Sequence, residues 1–238
     1  CCGCGNFPFV IYHKLLKYHD KSHILSNMLY FNDLNVDRIN VMKKMFNCNL
    51  NIFTEDFLKI NIKQKFDFIV ANPPYAKLLE NGKRASKNHN LIGLFIKKSL
   101  DLLNPNGLLL YITPDNWMSC ADRNTLICEL TKLQIVYLNI HIAKKYFKKI
   151  GSSFVWYLIE NTPYYKPIEI EGIWNKKIYK DRVESEERKF IPLYYNNTIQ
   201  SIIHKTIDND KLPKFIVETS SDLHKYTKKQ FISSTKDD

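Results

Sequence analysis

The sequence contains no apolar run that approaches the ~20 residues needed for a membrane-spanning helix. Its first residues, CCGCGNFPF, lack the basic and apolar regions of a signal peptide, so secretion is not expected. It also has no internal repeat and no low-complexity tract, and its hydrophobic content of 45% argues against disorder over most of the chain. These absences predict a folded protein that works inside the cell, without a membrane partner.

Cysteine is present, but in a pattern that excludes most of its structural uses. The six cysteines lie at positions 1, 2, 4, 48, 120 and 128. The first three are too close together for an ordinary tetrahedral metal site, and no second cysteine pair or partnered histidine follows. The spacing also argues against a disulfide framework in a chain of 238 residues. We therefore expect reduced thiols and no bound metal.

Acidic residues are the scarcer charge: 24 Asp and Glu stand against 35 Lys and Arg, which gives a net charge of +11. A polyanionic partner such as nucleic acid would account for the excess, and so would a solvated, lysine-rich surface, so charge alone does not decide. The length fits one large domain, or one domain and part of a second. Because the chain begins without Met, inside what resembles a motif, we expect a fragment whose N-terminus is missing.

Short strand-like runs alternate with longer helical patterns, which is typical of an α/β protein with an open parallel sheet. Helices are predicted over residues 9–17, 37–46, 91–103 and 122–132, and strands over 23–31, 50–54, 66–71 and 108–113, with a turn at 104–107. The core candidates of the second helix are Ile39, Met42 and Phe46, and those of the third are Leu94, Ile96, Leu100 and Leu103.

The second half of the chain changes in character. Residues 134–142 and 153–160 predict two strands that form an antiparallel pair at one edge of the sheet. After residue 161, prolines punctuate tyrosine- and lysine-rich segments, in which 168–174 predicts a strand and 197–207 a helix. We therefore expect a sheet domain over residues 1–162 and an accessory segment over residues 163–238.

The most informative motif is Asn72-Pro73-Pro74-Tyr75, directly after a predicted buried strand. The two prolines fix an extended, stiff backbone that can aim a carbonyl group at a ligand. The Asn72 amide and the Pro73 carbonyl offer two acceptors for the hydrogens of a planar –NH₂ group, and Tyr75 offers a ring on which a base can stack. The alternative is an ordinary Pro-Pro turn that closes a strand. The buried strand before it favours a site.

Further candidate ligand groups follow successive predicted strands. Gly3 and Gly5 precede a helix, where glycines let the backbone approach a ligand and free N–H groups point outward. Asp33 could bind ribose hydroxyl groups, or cap the helix that begins near Asp37. Asp56 could accept an adenine amino group with Phe57 stacked on the ring, or be an ordinary loop acid. Their order along the chain matches where open α/β sheets bind ligands.

These motifs resemble the class I S-adenosylmethionine-dependent amino-methyltransferases, and more narrowly the N6-adenine DNA methyltransferases of type II and type IIG restriction–modification systems. The family motif Asp-Pro-x-Cys-Gly-x-Gly-x-Phe is matched by Cys1-Cys2-Gly3-Cys4-Gly5-Asn6-Phe7 from its third position onward, and its Asp-Pro is absent from this chain. The resemblance implies an open, mostly parallel, seven-stranded Rossmann-like sheet with helices on both faces and an antiparallel edge strand. A partial C-terminal segment, the start of a target-recognition region or a reduced one, would follow.

The resemblance also implies a function, namely methyl transfer from S-adenosylmethionine to N6 of an adenine flipped out of double-stranded DNA, without a metal. The implied cofactor residues are Cys2, Gly3, Gly5, Asp33, Asp56 and Phe57, and the implied catalytic residues are Asn72, Pro73, Pro74 and Tyr75. Tyr75 and Phe147 would stack on the adenine, with Tyr146 as second choice. Lysines that could line a phosphate path, or simply be solvated, are Lys83, Lys87, Lys144, Lys145, Lys148 and Lys149.

Two other functions remain open. The same chemistry could serve a different planar amino group, as in methyltransferases of release-factor glutamine or of ribosomal RNA bases, which share the tetrapeptide. The chain could also be an inactive, DNA-binding relative, because the Asp-Pro that begins the cofactor motif is missing. The sequence does not give the recognition site or the oligomeric state. An intracellular location, in the cytoplasm or on the host's DNA, is expected in each case.

Overall fold

The structure is a computed structural model, which describes residues 2–75, 91–120, 125–147, 153–208 and 211. By compactness the chain divides into two units, Cys1–Gln200 and Ser201–Asp238. The helices are α1 (Asn6–Leu15), α2 (Lys21–His23, continuing into a π-helical turn, Ile24–Met28), α3 (Val36–Phe46), α4 (Ile92–Leu102), α5 (Leu126–Leu130) and α6 (Asn197–Thr206). The strands are β1 (Tyr30–Asn32), β2 (Asn51–Phe53), β3 (Phe66–Ala71), β4 (Leu103–Pro114), β5 (Leu133–Ile140), β6 (Phe154–Pro163), β7 (Ile168–Trp174) and β8 (Lys177–Val183).

The strands form a mixed sheet of six, in the order β3-β4-β6-β5-β7-β8, and a separate parallel pair, β1-β2. Strands β3, β4, β5 and β7 run in one direction, while β6 and β8 run against them. The α/β class is therefore confirmed, but the described residues do not form the predicted single, mostly parallel sheet of seven. The physical reason is that β6 enters between β4 and β5, and the β7–β8 hairpin adds a further antiparallel pairing.

The predicted antiparallel pair at a sheet edge is half right. Strands β5 and β6 are antiparallel, but β7 and β8 extend the sheet beyond β5 and place the pair inside it. The predicted strand at 168–174 and the helix near 197–207 are present as β7 and α6. Because the sheet continues across residue 163, it shows no break there. The functional division into residues 1–162 and 163–238 stays a prediction.

The helices bury the faces that pack against the sheet or its flanks. In α3 the predicted core residues Ile39, Met42 and Phe46 are all buried. The Asn35 side chain caps this helix by accepting a hydrogen bond from the Arg38 N–H at 3.1 Å.

In α4 one predicted core residue is wrong, because Leu94 is 55% exposed. The predicted Ile96 and Leu103 are buried and Leu100 is half-buried, and the other buried residues of the helix are Ile92, Phe95, Ser99 and Leu102. Phe95 fixes this face, because its ring stacks on Phe57 with centroids 5.4 Å apart.

Two predicted boundaries differ for reasons of local geometry. The segment at 23–31 is mostly helical, since Asp20 caps α2 through the His23 N–H at 2.9 Å, and only its end joins β1. The predicted turn at 104–107 lies inside β4 as a bulge, because Phe66 pairs with Leu103 and Phe68 pairs with Leu108. The turn prediction is therefore wrong, since residues 104–107 interrupt the pairing with β3 without ending the strand.

A cavity of about 590 Å³ lies between the two sheets. It is bordered by β1 on one side and β3 on the other, with Cys2 and α1 residues also in its wall. The Cys2 N–H donates to the Asn32 carbonyl at 2.8 Å, which ties the start of the described chain to the end of β1. Within the described ranges, no helix is long and apolar enough to cross a membrane.

A substitution in the β7–β8 hairpin tests the pairing of these two strands. A Cβ added at Gly172 would lie 2.4–2.7 Å from atoms of the Tyr179 ring across the hairpin, and Tyr179 donates to the Tyr195 carbonyl at 3.0 Å. We expect Gly172→Ala to lower the free energy of unfolding by about 1–3 kcal/mol, because the ring must move and release its hydrogen bond. Urea denaturation measures the change.

Gly93 provides the matched control for that substitution. A Cβ at Gly93, near the start of α4, would meet only a Leu126 methyl group at 3.9 Å. Gly93→Ala should leave the stability unchanged or raise it by about 0.5–1 kcal/mol, as alanine does in a helix. Equal stability changes in the two variants would contradict the described pairing of β7 with β8.

Candidate active site

The tetrapeptide Asn72–Tyr75 begins where β3 ends. Asn72 and Pro74 are exposed, Pro73 is buried and Tyr75 is half-buried. The Tyr75 hydroxyl donates a hydrogen bond to the Asn72 side-chain oxygen. Burial raises the pKa of Tyr75 to about 12, so its hydroxyl stays protonated and able to donate at neutral pH. The structure thus joins the two predicted ligand groups directly, a contact that the sequence pattern did not indicate.

The Asn72 oxygen can still serve a ligand. An amide carbonyl oxygen has two lone pairs, and the Tyr75 hydroxyl uses one of them. The Tyr75 carbonyl in turn accepts from the Leu91 N–H at 3.3 Å, which fixes the tyrosine backbone against the residue before α4. The tetrapeptide is therefore held at both ends, with one acceptor position of Asn72 available to an amino group.

Three aromatic rings form a row that begins with Tyr75 of the tetrapeptide and continues through Phe154 to Phe147. The buried ring of Phe154, the first residue of β6, lies 5.6 Å from the Tyr75 centroid and 4.4 Å from that of Phe147. The Phe147 ring is nearly parallel to Phe154, at 13°. Tyr146 stays outside this row, 74% exposed, with the Lys145 ammonium over its ring. The structure therefore brings Tyr75 and Phe147 to one place and leaves Tyr146 away from it.

Phe154 is a residue that sequence reasoning missed. It lies at the amino end of β6, and because β6 is antiparallel to β4, this position is next to the carboxyl ends of β3 and β4. That placement depends on the strand order. Without the order, Phe154 is one more apolar residue at the start of a strand.

The glycine loop and Asp33 meet at the end of β1. The Gly3 N–H donates to one carboxylate oxygen of Asp33 at 2.9 Å, and the Asn35 N–H donates to the other at 3.1 Å. Asp33 is buried, with an Arg38 guanidinium nitrogen 3.7 Å away. Because Asn35 caps α3, the alternative that Asp33 is the helix cap is wrong. Asp33 instead holds the glycine loop.

Both loop glycines adopt positive φ angles, 57° at Gly3 and 96° at Gly5. A Cβ at Gly3 would meet nothing within 4 Å, so open space lies beside the backbone there. Cys2 precedes this loop, and burial raises the pKa of its thiol to about 11. The thiol is therefore neutral near pH 7 and is no nucleophile.

Asp56 and Phe57 follow β2, the strand that pairs with β1. One Asp56 carboxylate oxygen accepts from the Leu58 N–H at 3.0 Å, which is the behaviour of a loop acid, while among the described residues the other oxygen has no hydrogen-bond partner. Phe57 is half-buried, and the Lys98 ammonium lies 5.4 Å from its centroid. The Asn32 side chain donates to the Glu55 carbonyl at 2.9 Å, which fastens the two strand ends together.

Most of the lysines predicted for a phosphate path cannot be placed. Lys83, Lys87, Lys148 and Lys149 lie outside the described residues, and so does the side chain of Lys144. Lys145 is exposed. In the part of the chain that the structure describes, no group of three metal-ligating side chains occurs.

A model of a known protein family matches this chain. Residues 9–139, more than half of the chain, match the model of the Eco57I restriction-modification methylase family. The type II methyltransferase M.AccI of Acinetobacter calcoaceticus is 32% identical over 92 residues, which cover 33% of this chain and 17% of that protein. An uncharacterized adenine-specific methylase of Mycoplasma pneumoniae is 29% identical over 178 residues, covering 71% and 41%. The chain thus spans less than half the length of these relatives.

A solved structure supports the fold alone. A protein from Listeria monocytogenes, assigned as a class I S-adenosylmethionine-dependent methyltransferase, superposes with a TM-score of 0.57 at 13% sequence identity. The superposition covers 88% of this chain and 62% of that one. The α/β methyltransferase fold therefore extends beyond the residues that match the family model.

Proposed function

The chain belongs to the Eco57I restriction-modification methylase family, and on that premise we propose that it transfers a methyl group from S-adenosylmethionine to N6 of adenine in double-stranded DNA. The observation that carries the proposal is the Asn72–Tyr75 pair beside the row of Phe154 and Phe147. It combines an amide acceptor, a stiff backbone and aromatic rings in one place. Those are the groups that a flipped base with an exocyclic amino group would need.

The residues at the ends of β1 and β2 fit the cofactor. Open space at Gly3 lets a ligand approach the backbone closely. Each Asp33 carboxylate oxygen has one protein donor and a second lone pair with which to accept a ribose hydroxyl. Asp56 keeps one carboxylate oxygen for an adenine amino group, with the Phe57 ring beside it. When bound, S-adenosylmethionine supplies an electrophilic methyl group.

The chain's own residues position the base in this mechanism. The adenine leaves the duplex at a cost of a few kcal/mol, which contacts with Tyr75 and Phe147 offset. The Asn72 oxygen and the Pro73 carbonyl accept the two N6 hydrogens, which turns the nitrogen lone pair toward the electrophile. Placement and these oriented dipoles stabilise the positive charge that develops on N6. The N6 lone pair takes the methyl group directly, so no cysteine nucleophile is needed, and the proton that N6 then loses passes to solvent.

Two further parts of the proposal concern the rest of the chain. We assign the residues from 163 onward to recognition of the DNA target, because they follow the catalytic strands. We place the protein inside the cell, where DNA is and where thiols such as the five described free cysteines stay reduced.

A labelled methyl donor tests the proposal against its alternatives. The chain is incubated with tritiated S-adenosylmethionine and, in parallel, duplex DNA, ribosomal RNA and a release factor. We expect label in DNA alone, recovered as N6-methyladenine after digestion. Label in the RNA, or in a glutamine of the release factor, would identify that molecule as the substrate in place of DNA. No label in any of the three would favour the inactive relative.

A further inference from the structure

The β7–β8 hairpin ends in a tight, fixed turn. Trp174 pairs with Lys177, and the two residues between them, Asn175 and Lys176, have φ angles of 47° and 63°. Two consecutive positive φ angles are typical of the two-residue hairpin turn whose twist matches that of the strands. The side chains at this end of the hairpin are therefore held by a well-formed turn.

Two large aromatic side chains are exposed at this turn. Trp174 is 52% exposed and Tyr194 is 44% exposed, and their rings meet edge to face with centroids 4.7 Å apart. Each ring supports the other and still presents a surface to solvent. Exposed aromatic surface rimmed by polar groups is typical of an interaction site.

The charge around these rings is positive. Among the described residues, neither Lys176 nor Lys177 lies within 4.0 Å of a carboxylate. Further along β8 the basic side chains are paired, Lys180 with Glu171 at 3.7 Å and Arg182 with Glu169 at 3.0 Å. Uncompensated positive charge is thus concentrated at the tip, next to the aromatic rings. We call Trp174, Lys176, Lys177 and Tyr194 the hairpin tip.

The hairpin tip and the tetrapeptide lie at the carboxyl ends of β7 and β3, and these ends lie on the same side of the sheet because the two strands run in the same direction. Contacts connect the hairpin tip to the end of β4, the neighbour of β3. The ring of His141 lies 6.1 Å from that of Tyr194, and its Nε2 lies 3.7 Å from an Asp115 carboxylate oxygen. Four strand spacings separate β3 from β7, about 19 Å. That distance is roughly five to six base steps of B-DNA.

From this geometry we infer that the hairpin tip binds the DNA that flanks the target adenine, with the lysines on phosphate groups and Trp174 against a sugar. The inference rests on the proposed function, because DNA seated at Tyr75 would pass the tip. Protein side chains position a duplex through such contacts to its phosphates and sugars, and lysines supply the charge for them. Nucleic acid is the occupant that both the rings and the charge fit, whereas an apolar protein partner would leave the lysines unpaired.

The test uses the full chain and 30-base-pair duplexes of mixed sequence. We expect Trp174→Ala to raise the Kd for duplex DNA about tenfold, because the apolar surface that the ring buries against the DNA is lost. The double variant Lys176→Ala/Lys177→Ala should reduce the slope of log K against log salt by about 1–2. This variant leaves the aromatic packing intact, so it tests the inference even if Trp174→Ala unfolds. The Kd for S-adenosylmethionine should not change in either variant.

Lys17 and Tyr18 form the matched control. They are also an exposed lysine and an exposed aromatic ring, but they follow the end of α1 and lie outside the segment from residue 163 onward. Lys17→Ala/Tyr18→Ala should leave the DNA affinity unchanged. Equal losses at the hairpin tip and at this control pair, or no change in either hairpin-tip variant while the unsubstituted chain methylates adenine in DNA, would overturn this inference alone. Failure of the unsubstituted chain to bind or methylate DNA would overturn the proposed function, and this inference with it.

Discussion

Asn72→Ala is expected to lower the rate of methyl transfer to adenine by about 100- to 1,000-fold, the effect of removing one oriented group that stabilises a developing charge. The Asn72 oxygen is the side-chain acceptor that the proposal gives to the adenine amino group. Alanine also releases the Tyr75 hydroxyl, so the ring on which the base stacks loses its anchor. Single-turnover kinetics with saturating DNA measures the loss at the chemical step.

The thermal midpoint and a control variant distinguish this loss of catalysis from misfolding. Asn72 is exposed, and the Tyr75 hydroxyl that its removal releases is accessible to water, so the thermal midpoint should stay within a few degrees. Asn40, an exposed asparagine on α3, serves as the control, and Asn40→Ala should keep full turnover. An Asn72→Ala protein that turns over within threefold of the unsubstituted chain would contradict the role given to the tetrapeptide.

The second large effect concerns cofactor affinity at Asp33. A hydrogen bond to a charged group contributes about 1.5–3 kcal/mol, and about 1.4 kcal/mol is tenfold in Kd. Asp33→Ala should therefore raise the Kd for S-adenosylmethionine about 100-fold, because both ribose hydroxyls lose their acceptor and the Gly3 N–H loses the oxygen that orients it. Asp33→Asn keeps one acceptor oxygen and should lose about tenfold. Isothermal titration calorimetry measures both.

A neighbouring acid controls for the change in net charge. Asp37 lies in the first turn of α3 and is exposed, so Asp37→Asn removes the same charge without touching the glycine loop. Its affinity for S-adenosylmethionine should match that of the unsubstituted chain. If the two Asp33 variants also bind with unchanged Kd, the cofactor does not occupy the end of β1.

Local pattern predicted the elements whose apolar faces are unambiguous. Ile39, Met42 and Phe46 recur at helical spacing, and they are buried together in α3. The apolar face of residues 91–103 is broader, so local pattern alone does not separate Phe95 from Leu94, and in the structure Phe95 packs on Phe57 while Leu94 is exposed. Sheet order was not predictable in the same way. Nothing local in residues 154–163 indicates that they enter between β4 and β5.

The candidate site shows the same division between local and long-range information. Motif order placed Asp33, Asp56 and Asn72 after successive strands, and the structure joins Asp33 to Gly3 by a hydrogen bond. The row through Phe154 could not be predicted, because it depends on a contact between residues 79 positions apart, Tyr75 and Phe154. The site-residue assignments themselves stay predictions until the variants are measured.

The position of β6 between β4 and β5 sets the order in which the chain can fold. The β7–β8 hairpin closes across a two-residue turn, so it can form within microseconds. Strand β4 pairs with β3 on one side, but its partner on the other side, β6, begins some forty residues after β4 ends, and closing such long loops slows folding. Among the described residues, β3, which ends directly before Asn72, pairs with β4 alone. We therefore expect the tetrapeptide to reach its final geometry late, after the distant strand has been inserted.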